Sequence, residues 1–507
     1  MTTQIPIATP LRSTPRTAPF ALALCLAAAA LSESAQSAQS APLAQSSQSA
    51  QSGQSAQPND PSGANRPGAA ASADQKRSEP PAHTALRYDF DYPTIGYAGK
   101  AKNNPIARLQ ERLDRGEVKL EFHPPRGYLD SLLKALDVPP SSQTLVYSKT
   151  SLQIDVIRAA TPRAIYFNDD LYVAWVQGTN LLEFAVMDSA LGQVFYTMAN
   201  QEGSPVKLDR EMQRCLTCHD TFSLMGGGVP RFLFLSSYVG VNGEALTGDV
   251  STETTDETPL QDRWGGWYVT GQPGALKHLG NIQAHNADEF ANLDSVRRGN
   301  VETLDSLFDT RPYVTNKSDI VALLVFEHQV YVENLITRVN FKARTVLARE
   351  SGGAATDTRT WEEMSPRTQV ALKAMMEPLV RAMLLVDATE FPSKVAGNSG
   401  FDKWFQARGP RDRLGRSLRE LDLNTHLFKY PLSYVVYSEA FNGLPEYAKV
   451  YIYGRFADIL TGRDESPAYA HLSATDRKAL LEILTDTRPG FAKVAADTQR
   501  VRLSRKD

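Results

Sequence analysis

Residues 318–340 read SDIVALLVFEHQVYVENLITRVN. A run of this length that is apolar nearly all round cannot lie on a surface, so it predicts a buried central helix around which the other elements pack. Glu327, His328, Gln329 and Asn334 interrupt it. Polar side chains at such positions are costly unless they are hydrogen-bonded or face a site.

The flanking sequence divides into zones. Over 85–200, two stretches with helical spacing, NPIARLQERLDRG and YLDSLLKALDV, precede the strand-like runs QTLVYSK, RAIYFN, LYVAWVQG, LEFAVMD and QVFYTMA. These runs are rich in Val, Tyr and Phe, and DSALG (188–192) fits a turn between the last two. An antiparallel sheet is expected. Residues 201–286 hold a cysteine motif, an Asn242-Gly243 hairpin signal and RWGGWYVTGQPGALKHLGN (263–281). Residues 287–490 are expected to be helical, and 491–507 to form a solvated basic tail. The expected class is α+β with helix in the majority.

The N-terminal sequence is of another kind. Arg12 and Arg16 precede the uncharged run APFALALCLAAAALS (18–32). A short basic region, an apolar stretch and then small residues form the pattern of a cleaved secretory signal, assigned to 1–33. The run is shorter than the roughly 20 apolar residues of a membrane span. Leu24 stands where a lipoprotein signal wants a small residue before Cys25, so a lipid anchor is not expected. Residues 34–84 are a Ser/Ala/Gln repeat followed by Pro-rich sequence, too poor in large apolar groups to order itself, and are expected to be a spacer. The formal net charge of −3 gives no electrostatic reason to expect nucleic acid or an anionic membrane as partner.

Apart from Cys25, the only cysteines among 507 residues lie in RCLTCHDTF (214–222). Cys215-Leu216-Thr217-Cys218-His219 is the Cys-x-x-Cys-His pattern of c-type haem attachment. Two thiols three apart on a helical turn can each form a thioether to a porphyrin vinyl group, and the adjacent imidazole then reaches the iron. Three Cys and eight His scattered at random produce this pattern with a probability of roughly 2 in 10,000. A thioredoxin-like redox pair is the main competing chemistry. Structural zinc would need further ligands at regular spacing, and no second cysteine pair exists.

On this motif the chain resembles the cytochrome c superfamily. The resemblance implies Cys215 and Cys218 as thioether residues, His219 as proximal iron ligand and one covalently attached haem c as cofactor. The length departs from small cytochromes c. PRAIYFNDDLYVAWVQG, RWGGWYVTG and YPLSYVVYSEAF are similar to large exported bacterial proteins with a cytochrome c domain. For the sixth ligand, Met225 lies only six residues beyond His219, about 9 Å along a helix, and is disfavoured. His278 can wrap the ring from its greater separation, with Trp264, Trp267 and Tyr268 packing nearby, and His328 is the second distal candidate. His285 is weaker, and His123 and His426 have no supporting context.

Together these features predict an exported, periplasmic monohaem protein that exchanges electrons with a redox partner protein. A simple shuttle needs far fewer ordered residues, so two alternatives stand beside it. One is a haem-dependent oxidoreductase of peroxidase or oxygenase type with an open distal side. The other is a non-enzymatic haem sensor.

Overall fold

The computed structural model describes residues 94–99, 101, 103–220, 228–246, 251–292, 301–352 and 359–503. The expected signal, the spacer and Met225 lie outside these residues. Eleven α-helices and nine strands are formed among the described residues, a mixed α+β architecture built on an antiparallel sheet.

Helices α1 (Pro105–Asp114) and α2 (Leu129–Ala135) come first, followed by β1 (Thr144–Val146), β2 (Arg163–Phe167), β3 (Leu171–Val176), β4 (Leu181–Asp188), β5 (Gly192–Ala199) and β6 (Asp209–Glu211). The cysteine motif forms α3 (Gln213–His219), and β7 (Leu235–Ser237), β8 (Ser251–Glu253), β9 (Trp267–Tyr268) and α4 (Ala287–Asn292) follow. The rest is helical: α5 (Ile320–Glu350), α6 (Pro366–Met383), α7 (Phe401–Gln406), α8 (Glu439–Asn442), α9 (Glu446–Leu460), α10 (Ala474–Thr487) and α11 (Pro489–Leu503).

The seven-stranded sheet has the order β6-β5-β4-β3-β2-β1-β9, antiparallel throughout. Its central strands read as nearly continuous apolar runs because both faces are covered. Leu171, Val173 and Trp175 of β3, with Leu182, Phe184 and Val186 of β4, point to one core shared with α1 and α2. Tyr172 and Met187 point to the other, shared with α5. The β4–β5 turn forms where DSALG predicts it: Asp188 Oδ1 accepts the amides of Ala190 and Leu191 at 3.0 and 3.1 Å. Gly192, at φ 69°, runs so close to α5 that a Cβ there would lie 2.4 Å from Thr337 Cγ2.

The run that predicts a central helix becomes α5. Asp319 caps it by accepting the amides of Val321 and Ala322. It is the one helix among the described residues that is long and apolar enough to cross a membrane, and 83% of its most apolar window is buried inside the protein. One expectation is corrected at the C-terminus. Residues 489–503 are helical where a solvated tail is expected from 491, because Phe491 is fully buried and packs edge-on against Tyr453. The three zones are not separable domains: Ala82–Asp507 clusters as one unit, and the middle zone supplies both edge strands of the sheet, β6 and β9.

Candidate haem-attachment site

Helix α3 leaves edge strand β6 and brings Cys215 and His219 to a cleft on the sheet face that also packs on α5, while Cys218 is not among the residues lining it. Both cysteines are free thiols, Cys215 half-buried and Cys218 exposed. Burial, with the carboxylates of Glu211 and Glu183 adding to it, pushes the Cys215 thiol up to about 12. A reactive thiol needs the opposite shift, toward the thiolate, so Cys215 is not set up as an attacking thiol.

His219 is held for a different task. Its ring packs on Phe195 at a centroid distance of 4.4 Å, and its Nδ1 lies 2.7 Å from the carbonyl oxygen of Arg231. A carbonyl only accepts, so Nδ1 carries the hydrogen and donates it. Arg231 returns its own amide to the His219 carbonyl at 3.0 Å, a two-way clamp. Burial draws the imidazole down to about 4, against the pull of the Arg231 carbonyl and with help from the Arg163 guanidinium. The ring is therefore neutral at pH 7, with its lone pair on Nε2, which has no hydrogen-bond partner among the described residues. An imidazole fixed through Nδ1 on a backbone carbonyl is the usual second-shell arrangement of a metal-ligating histidine.

Cys215 and His219 line one wall of a cleft whose other walls are Phe195, Phe232, Tyr172 and Phe326. Its floor is low because Ala174 and Ala185 stand on neighbouring strands where larger side chains would fill it. The cleft holds about 110 Å³, less than the roughly 300–1,000 Å³ of a pocket that engulfs its ligand. A porphyrin would sit partly outside it, the situation in which covalent tethering matters. Arg163 stands at the cleft. Among the described residues its buried Nε has no hydrogen-bond partner, and its Nη1 has only the Thr150 carbonyl at 3.3 Å. Glu183 lines the same cleft, and its carboxylate favours the charged form of Arg163.

The other predicted ligands are not brought to this cleft. His278 is fully buried, edge-on to Trp264 at 5.3 Å, and its Nδ1 accepts the Gly280 amide at 3.0 Å. It anchors the turn it belongs to. Trp267 stacks on Phe234. His328 lies in the helical half with both nitrogens engaged: Nδ1 at 2.7 Å from Asp256 Oδ2 and Nε2 at 2.7 Å from Ser433 Oγ. His285 is exposed and pairs with Glu289.

The Asp256–His328–Ser433 order is that of a nucleophilic triad. Ser433 and His328 are, however, 0% exposed, and the Ser433 amide is taken up by the Met383 carbonyl. The nearest large cavity, about 390 Å³, is lined by Asp256 and Phe428 but by neither His328 nor Ser433. With no access for a substrate, these three residues fasten α5 to its neighbours. That cavity contains none of the motif residues.

Arg231, Phe195, Arg163 and the two alanines carry no sequence signal that ties them to the motif. A short residue within each of two bulky strands is the only visible trace. The chain matches no protein-family model, and no curated protein and no solved structure matches it.

Proposed function

We propose that this chain is an exported c-type haem protein. It carries one haem joined covalently to Cys215 and Cys218, with His219 as proximal iron ligand, and transfers electrons in the periplasm to or from a partner protein. One observation carries the reading: a neutral His219, clamped through Nδ1 and open at Nε2, lines the same cleft as Cys215. The bound haem would supply a one-electron couple. The chain's own residues do the rest. Arg231 fixes the orientation and tautomer of His219, and Phe195 and Phe232 exclude water from one side.

A second reading, a haem-dependent oxidoreductase with an open distal side, draws on the cleft's composition. Among the described residues that line it, His219 is the only imidazole, and there is no methionine. Absorption spectra of protein made with the haem-attachment machinery separate the two. A low-spin spectrum unmoved by carbon monoxide supports the electron carrier. A high-spin ferric form whose reduced state binds carbon monoxide at once supports the oxidoreductase. Absence of any haem band overturns both.

A further inference from the structure

Helix α5 buries two carboxylates, and only one is matched by a cation. Glu327 lies 3.4 Å from Arg263 Nη1 and accepts from Trp264 Nε1 at 3.3 Å. Glu333 is 0% exposed and has no cation partner among the described residues. Its Oε2 accepts the Tyr172 hydroxyl at 2.7 Å, and its Oε1 has no hydrogen-bond partner among the described residues. The Tyr172 hydroxyl also accepts from Gln329 Nε2 at 2.9 Å, so its hydrogen is aimed at Glu333. The ring of Tyr172 is a wall of the motif cleft and meets Phe232 edge-on at 4.7 Å.

The acidic groups facing Glu333 raise the cost of a negative charge there, while the hydrogen bonds from Tyr172 and Gln329 lower it. Asp169 and Asp170 face it from the β2–β3 turn, Tyr172 from β3, and Gln329 from its own helix. Tyr434 follows behind Gln329, whose Oε1 accepts the Tyr434 hydroxyl at 2.5 Å. Arg419 is spent on Asp169 and on the faces of Tyr434 and Phe405. Arg108, beyond Asp170, is paired with Glu439. Burial, reinforced by Asp170 and Asp169, raises the Glu333 carboxyl well above the usual range. An added electron in the cleft acts on such a group through a low-dielectric wall, where unit charges interact strongly.

We propose that Glu333, linked to the cleft through Tyr172, takes up a proton when the site held by Cys215, Cys218 and His219 is reduced, so that its potential depends on pH. This rests on the haem reading. One electron arrives from the partner protein, or from dithionite in the test. One proton from solvent binds a Glu333 carboxylate oxygen, and no bond in Tyr172 is broken.

The test is a spectroelectrochemical titration of the full haem-loaded chain from about pH 5 to about pH 9. A tenfold change in proton activity converts to about 59 mV for a one-electron couple. Wild type is expected to approach that slope over part of the range. Glu333→Gln is expected to flatten it while keeping the covalent haem, and Tyr172→Phe to shift the interval in which the slope appears. A flat wild-type titration, or an undiminished slope in Glu333→Gln, overturns the proposal. Should the variant not fold, the reduced-minus-oxidised infrared spectrum of wild type decides. A protonated-carboxyl band gained on reduction supports Glu333, and its absence overturns the proposal. A preparation with no haem band overturns the haem reading along with this one, whereas a haem band with a flat potential overturns this one alone.

Discussion

His219 and His328 sit in the same protein and meet opposite fates. Each presents one nitrogen to an oxygen at 2.7 Å, the Arg231 carbonyl for His219 and the Asp256 carboxylate for His328. The second nitrogen of His328 is also taken, by Ser433, while that of His219 has no hydrogen-bond partner among the described residues and shares its cleft with Cys215. The difference teaches that burial alone does not mark a ligand. An imidazole whose two nitrogens are both satisfied is a fastener, and one with a single satisfied nitrogen in a cleft is available for chemistry.

That contrast can be broken most sharply at the thiols. Cys215→Ala together with Cys218→Ala is expected to abolish covalently held haem altogether, read by haem staining after denaturing electrophoresis, while His328→Leu leaves the stain intact. Retained stain in the double variant would end the distinction. The next largest effect falls on the fastener. His328→Leu removes the hydrogen-bond partner of the Asp256 carboxylate and is expected to cost about 3 kcal/mol of stability, measured by urea unfolding, with no change in haem absorption.

His219 is expected to make stability depend on pH. Its folded value of about 4 lies below the roughly 6.5 of an unfolded histidine. The unfolded chain therefore takes the proton first as the solution is acidified. The contribution is fully present above pH 6.5 and declines as the pH falls from there toward 4, by about 2–3 kcal/mol. Haem-free protein unfolded in urea at pH 7 and at pH 4.5 should show this loss, and His219→Gln should lack it. The smallest effect is expected from Ser433→Ala, about 1 kcal/mol for a neutral hydrogen bond. A loss of several kcal/mol, or any change in haem absorption, would mean that the Ser433–His328 pair does more than fasten.

The sheet and the central helix were readable because their signals are local and redundant. RAIYFN, LYVAWVQG, LEFAVMD and QVFYTMA became β2 to β5, and the DSALG turn joined the last two. The all-round apolar run became α5. Strand β9 was not readable, since two residues, Trp267 and Tyr268, are recruited to β1 from far along the chain. For the site, spacing alone singled out Cys215, Cys218 and His219, and the fold brings Cys215 and His219 to one cleft. His278 does not line the cleft: sixty residues of separation say that a chain can wrap a ring but not which way a side chain turns. The clamp from Arg231, the alanine floor and the Tyr172–Glu333 pair were hidden for the same reason: each depends on contacts between residues distant in sequence.

The most direct test of the central claim is the intact mass of the full chain, produced with and without the haem-attachment machinery and denatured before measurement. The account predicts a mass increase of one haem, confined to the peptide that contains Cys215 and Cys218, only when the machinery is present. An unchanged mass, with the two cysteines recovered as free thiols or as a disulfide under both conditions, would contradict it.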